Sequence, residues 1–211
     1  RLKRVGQVDF IEVPRDIGGE ELGKRLEGYH FVVASVTPYY SRRFFESNSS
    51  VVMIVRHGIG VDNIDLRAAE EFGVYVARVP GWREREAVAE HTIALMLAAL
   101  RHVVQAHEAV KAGKWGERAR FVGRELKNLT VGVIGFGNIG SRVAEILVKG
   151  FGSKVLVFDP YVPAERIREA GCTPVDFDTL LRESDIITLH AVLTSETYHM
   201  LSEAAFEKMK R

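Results

Sequence analysis

The stretch VGVIGFGNIG, Val131 to Gly140, decides the fold of this chain. Its first half is β-branched at Val131, Val133 and Ile134, the composition of a strand buried on both faces, with Asn128 and Thr130 before it and glycine after it. Its second half is a GxGxxG loop that runs into a helix start. Gly135 permits a tight turn, Gly137 has no side chain to hold a pyrophosphate off the backbone, and Gly140 lets the next helix pack on the strand. Asn138 and Ile139 open that helix, whose unpaired N–H groups and positive dipole end make an anion site that requires no basic side chain. Ile139, Val143, Ile146 and Leu147 recur at helical spacing and give the helix one face to lay on a sheet, before Phe151 and Gly152 end it.

Toward the C-terminus, KVLVFDP (Lys154 to Pro160) places Asp159 at the end of the next strand, nineteen residues after Gly140. An acid there accepts hydrogen bonds from the adenosine ribose, and its charge repels the extra phosphate of NADP, so the cofactor expected is NAD. The plain alternative is a glycine-rich turn with a solvated aspartate. Strand, glycines, helix period and acid in this order weigh against it. Helices are expected near Ala164–Ala170 and Phe177–Glu183, and a strand over Asp185–Leu189.

Toward the N-terminus the same alternation recurs. Val8–Val13, Phe31–Val36, Val51–Val55 and Val74–Val76 read as strands, with helices at Glu20–Leu26, Ser41–Glu46 and Leu66–Phe72 between them. Each half of the chain is therefore α/β, a parallel sheet wound with helices on both faces. From Glu84 to about Ala112 one long helix is expected, unbroken by Gly or Pro until Gly113. Its segment TIALMLAAL is apolar on nearly every side, which suits a place between packed layers, whether two domains or two subunits.

Composition removes several function classes. A chain of 211 residues, 46% hydrophobic and 27% charged, can bury a real core. Its 29 basic residues balance 28 acidic ones with no basic cluster longer than a few residues, which argues against a nucleic-acid partner. The longest apolar run, Ile93–Leu100, is far shorter than the ~18 residues of a membrane span. Cys172 stands alone, so no intrachain disulfide forms, in keeping with a reducing cytoplasm. No metal site is expected. Arg1 is not preceded by Met or a signal-like apolar region, and Phe206–Arg211 reads as the inside of a helix, so both ends are expected to be cuts.

With these motifs placed, the chain resembles the D-isomer-specific 2-hydroxyacid dehydrogenases, the group that includes phosphoglycerate dehydrogenase and glyoxylate and hydroxypyruvate reductases. The resemblance is collinear over nearly the whole chain. It rests on RHGIGVDNIDLRAA (Arg56–Ala69), AVAEHTIALMLAALR (Ala87–Arg101), GKW (Gly113–Trp115), FVGRELKNLTVGVIGFGNIG (Phe121–Gly140), VFDPY (Val157–Tyr161) and DIITLHAVLTSETYHML (Asp185–Leu201). It implies a flavodoxin-like substrate domain over 1–90 and a Rossmann NAD domain over 91–211, both doubly wound and both incomplete here.

The resemblance also implies roles for matching residues. The N–H groups of Ile59 and Gly60 would hold the substrate carboxylate, as two successive donors can. Arg56 would add a charge-assisted contact to a carboxylate or phosphate, against the alternative of a solvated charge at a strand end. His190 lies on the adenosine side of the cofactor, with Ala191, Val192 and Thr197 near NAD; it is not expected to be the catalytic histidine. Val192 replaces the family's proline and is expected to loosen that loop. Asp65 is expected to cap the helix from Leu66. The family's catalytic Arg, Glu and His match no residue of this chain and would lie beyond Arg211, so the 211 residues alone are expected not to turn over. A small 2-hydroxy or 2-oxo acid is the implied substrate, and a homodimer packed through the long apolar helix the implied assembly. A reading of another class is a catalytically idle NAD-binding module of corepressor type.

Overall fold

The computed structural model describes residues 2–4 and 6–210. The chain divides into two compact units, Arg1–Glu84 and Arg85–Arg211. Arg1 and Arg211, where cut ends are expected, lie outside the described residues.

The first unit carries α1 (Gly19–Arg25), β1 (Phe31–Ala34), α2 (Arg42–Ser47), β2 (Met53–Arg56), α3 (Leu66–Glu71) and β3 (Tyr75–Arg78). The three strands are parallel in the order β1-β2-β3, in a register that aligns Ala34, Arg56 and Arg78 across the sheet. Alternate strand residues separate core from surface, as a two-residue repeat requires. Ala34 and Ile54 join Leu22, Phe44, Phe45, Ala68 and Ala69 in the core, while Phe31, Val33 and Tyr75 are exposed. Asp65 begins α3 by accepting the Ala68 N–H at 3.0 Å, the capping role expected of it.

Helix α4 (Gly81–Leu100) starts at the end of the first unit and supplies most of its length to the second. There follow α5 (Val103–Lys111), β4 (Thr130–Ile134), α6 (Asn138–Ile146), β5 (Lys154–Phe158), α7 (Ala164–Glu169), β6 (Thr173–Pro174), α8 (Phe177–Glu183), β7 (Ile186–Leu189) and α9 (Glu203–Glu207). The four strands are parallel in the order β6-β5-β4-β7. Val131 and Val133 of β4 and Val155 and Val157 of β5 pack with Val143 and Leu147 below α6 and with Ile93 and Met96 of α4. The opposite face meets α8, where a side chain at Gly132 would strike Leu180 and Ser184. Arg142 ties α6 to α4 through Glu86 at 2.8 Å and pairs with Glu145 of its own helix at 2.9 Å.

Three expectations are corrected. Val8–Val13 forms no strand: Asp9 and Glu12 interrupt the run, Phe10 is 90% exposed, and no neighbouring strand takes up its backbone groups. The single helix expected from Glu84 to Ala112 is two helices, α4 and α5, at 60°. Its break needs neither Gly nor Pro, because His102 adopts the left-handed conformation (φ 51°, ψ 36°) and the Leu100 carbonyl accepts the N–H of Arg124, a residue distant in sequence. The helical reading of Phe206–Arg211 is also too long, since α9 ends at Glu207. Among the described residues no single helix is long and apolar enough to cross a membrane.

Candidate functional site

In the second unit β4 is central, with the chain leaving it toward β5 on one side and returning by β7 on the other. The strand order therefore reverses between β4 and β7, and the crevice beyond their C-terminal ends is where open α/β sheets bind ligands. The glycine loop occupies that place. Gly135 holds φ +88° and donates its N–H to the Phe158 carbonyl at 2.9 Å. A Cβ there would lie 2.8 Å from the Ala191 nitrogen, so the turn and the loop after β7 touch backbone to backbone. A Cβ on Gly140 would overlap the Gly135 carbonyl oxygen, which is the close helix-on-strand packing that sequence assigned to it.

Gly137 differs from both. It caps α6 in an extended conformation, and a Cβ there would meet nothing within 4 Å. Among the described residues, no protein acceptor takes the N–H groups of Gly137, Asn138 or Ile139. An open approach that faces unclaimed donors at the start of a nine-residue helix suits a pyrophosphate.

Asp159 closes one edge of this cradle. Its Oδ2 accepts the Phe136 N–H at 2.7 Å and its Oδ1 the Tyr161 N–H at 2.9 Å. Sequence placed the acid near the loop but did not foresee that it fastens the loop. Each carboxylate oxygen keeps a further acceptor position for a ribose hydroxyl. The Tyr161 hydroxyl in turn donates to Glu196, which joins the loop after β5 to the loop after β7 and raises the Tyr161 phenol pKa.

His190 follows β7, its N–H donated to the Ile134 carbonyl at 2.8 Å and its Nε2 sharing a hydrogen bond with Thr188 at 2.9 Å. Burial holds its imidazole below the ordinary value, so the ring is neutral at neutral pH. Val192 is 75% exposed. The loop it was expected to loosen is tied instead by Thr197, whose hydroxyl donates to the Val192 carbonyl at 2.6 Å and accepts the Thr194 N–H at 2.8 Å. Ala191, Val192 and Thr197 thus form one small loop beside Gly135.

In the first unit, the segment after β2 carries Ile59 and Gly60. Its ends are anchored, with the His57 N–H on Ala34, the Gly58 N–H on Arg56 and the Val79 N–H on the Gly58 carbonyl. The Ile59 and Gly60 N–H groups have no acceptor among the described residues. Arg56 is no solvated charge: it is 8% exposed, donates to the His57 carbonyl and leaves a buried Nε without a partner. Sequence reading missed Arg78, whose Nη1 donates to the Ile59 carbonyl at 3.1 Å. The signal was present, since MIVR and YVAR both end in arginine. No group of three or more His, Cys, Asp or Glu suited to a metal occurs among the described residues.

The NAD binding domain model of the D-isomer specific 2-hydroxyacid dehydrogenases matches residues 93–211. The chain belongs to this family. Among curated relatives, a D-3-phosphoglycerate dehydrogenase from Archaeoglobus fulgidus is 42% identical over 95% of the chain, which spans 37% of that protein's length. A glyoxylate reductase from Thermococcus litoralis is 36% identical over 99% of the chain and 65% of its own length. Among solved structures, the D-lactate dehydrogenase of Aquifex aeolicus complexed with NAD and lactic acid superposes with a TM-score of 0.79 at 34% identity, over 89% of this chain and 56% of that one. The strand–loop–helix built on Val131–Ile146 therefore lies within the family's NAD-binding domain.

Proposed function

We propose that this chain carries the cofactor cradle and the carboxylate loop of an NAD-dependent dehydrogenase that moves hydride between NAD(H) and a small 2-hydroxy or 2-oxo acid. The observation that carries the reading is the open approach at Gly137 to the unclaimed N–H groups of Gly137, Asn138 and Ile139, with Asp159 at its edge. Bound NAD would supply the hydride acceptor. The chain's own residues bind and orient it. The α6 amides offset the phosphate charge without a lysine or arginine. Asp159 takes the ribose hydroxyls and repels a 2′-phosphate. His190 stays uncharged beneath Gly140, and Ala191, Val192 and Thr197 border the cofactor. In the first unit Ile59 and Gly60 offer two N–H donors to the acid's carboxylate, with Arg56 behind them.

The reading is tested by titrating the 211-residue chain with NADH and NADPH, following nicotinamide fluorescence. NADH is expected to bind, and NADPH at least about tenfold more weakly, a difference of about 1.4 kcal/mol. Binding of neither would overturn it. No residue of the chain is assigned the proton-transfer role, so NADH oxidation with glyoxylate, hydroxypyruvate or pyruvate should not rise above a blank without protein.

The reading includes a homodimer and a cytoplasmic setting. Support for the dimer comes from apolar side chains left exposed in the second unit, with Leu95 of α4 57%, Trp115 65% and Val122 79% accessible. Sedimentation as a monomer at micromolar concentration would remove that part. The cytoplasmic setting rests on the single, unpaired Cys172.

A further inference from the structure

Strands β5 and β7 lie on either side of β4, and a side-chain pair joins the loops that follow them. The Tyr161 hydroxyl, after β5, donates to the Glu196 carboxylate, after β7. Both residues are exposed, yet each side chain starts from a fixed backbone. Tyr161 is held by its own N–H on Asp159 Oδ1 at 2.9 Å. Glu196 lies inside a turn in which the Thr197 hydroxyl accepts the Thr194 N–H at 2.8 Å and the Thr194 carbonyl accepts the Tyr198 N–H at 2.9 Å. The Thr197 hydroxyl fastens that turn to the Val192 carbonyl at 2.6 Å. A glutamate on a surface ordinarily samples many rotamers. This one has a carboxylate oxygen committed to a placed phenol.

The consequence is electrostatic. A single tyrosine carries two carboxylates, Asp159 on its backbone N–H and Glu196 on its hydroxyl. The phenol pKa is raised chiefly by the hydrogen bond to Glu196, and the charges of Glu196 and Asp159 add to the rise, so both fields reach the same atom. Asp159 meets two backbone donors, those of Phe136 and Tyr161, and is turned into the glycine loop. Glu196 faces the same edge of the crevice from the other side of β4. A second acid there discriminates between two kinds of dinucleotide. Both present the same pyrophosphate to the α6 amides, but a ribose hydroxyl is neutral and a ribose phosphate is an anion. Repulsion between charges falls inversely with distance and is felt within a Debye length of about 10 Å at 0.1 M salt.

We propose that Glu196, set in place by Tyr161, is a second specificity-determining acid of the cofactor site, whose charge disfavours dinucleotides bearing a phosphate on the adenosine ribose. The inference rests on the reading of the Gly137–Ile139 amides and Asp159 as the cofactor cradle. Glu196 acts through its field and has no need to touch the cofactor. Tyr161 is a positioning residue, which keeps that charge beside Asp159 instead of out in solvent.

The experiment titrates the 211-residue chain and its variants with NADH and NADPH, followed by nicotinamide fluorescence, at about 0.05 M and about 0.5 M salt. Glu196→Gln keeps an acceptor for the Tyr161 hydroxyl and loses only the charge. Its affinity for NADPH relative to NADH should rise about threefold or more at the lower salt, and Glu196→Lys should raise the ratio further. Tyr161→Phe leaves the carboxylate untethered and should move the ratio part of the way toward that of Glu196→Gln. At the higher salt these rises should shrink, because exposed charges are screened, whereas a change of packing would persist. NADH binding in the same samples reports that each variant is folded. A parental ratio in both Glu196 variants, or a rise that salt does not reduce, overturns the role of Glu196 while the cradle stands. A parental ratio in Tyr161→Phe overturns the positioning by Tyr161. Binding of neither nucleotide by the parent chain overturns the cradle and the second acid together.

Discussion

The Phe136 N–H donates to the Asp159 carboxylate at 2.7 Å, so the acid proposed to take the ribose also fixes the glycine loop proposed to take the phosphates. That bond ties the loop after β5 to the loop after β4. Asp159→Asn keeps the shape but removes the charge and one of two carboxylate acceptors, those used by Phe136 and Tyr161. Hydrogen bonds to a charged group contribute about 1.5–3 kcal/mol, so a loss of about 1–2 kcal/mol of stability is expected, together with weaker NADH binding and a smaller preference over NADPH. Urea denaturation and paired NADH and NADPH titrations check this. Unchanged cofactor preference would remove Asp159 from the discrimination.

Gly137 and Gly140 should separate binding from folding. Gly140→Ala puts a methyl group into the Gly135 carbonyl and should cost about 1–3 kcal/mol of stability, as overpacking does. Gly137→Ala meets no protein atom within 4 Å and keeps an ordinary φ of −74°. Its stability should stay within about 0.5 kcal/mol of the parent, while NADH affinity falls by about tenfold or more, because the methyl group occupies the approach to the α6 amides. Melting temperature and NADH titration on both variants give the comparison. Normal NADH binding by Gly137→Ala would move the phosphates elsewhere.

The elements legible in the sequence are those whose signal is local. The β-branched run at Val131–Ile134, the glycines after it and the period of Ile139, Val143 and Leu147 specify strand, turn and helix without reference to distant residues. What could not be read depends on partners far along the chain. Val8–Val13 has the composition of a strand but no neighbour to pair with. The end of α4 is set by the Arg124 N–H on the Leu100 carbonyl. In the site, the order of glycines and acid was readable, but the grip of Asp159 on Phe136 and the register of Arg56 with Arg78 are tertiary facts.

The break between α4 and α5 carries its own prediction. His102 sits at φ 51°, where a side chain with a Cβ costs about 1–2 kcal/mol relative to a right-handed residue. Glycine relieves that strain and gives back part of the gain through the freer unfolded chain. His102→Gly should therefore raise stability by up to about 1 kcal/mol with helical dichroism unchanged, and His102→Ala should not. If glycine and alanine act alike, the left-handed conformation at this position is not what bends the chain.

His190 gives the fold a pH dependence with a definite sign. Burial depresses its imidazole below the ordinary value of 6.5, so between that value and the lower folded one the unfolded chain binds a proton that the folded chain refuses. The neutral ring's contribution is complete above 6.5 and is lost as the pH falls toward the folded value. Urea midpoints measured downward from about pH 7.5 to about pH 5.5 should therefore decline, by no more than one proton's worth of linkage from this residue. His190→Gln retains a partner for the Thr188 hydroxyl and has nothing to titrate, so its decline should be shallower than the parent's over the same interval. Keeping the comparison above about pH 5 excludes most carboxylate titration, including that of Asp185, which the Thr130 N–H and nearby cations hold below the ordinary carboxylate value. Parallel curves for parent and variant would mean that the imidazole ionises as freely in the folded chain as in the unfolded one.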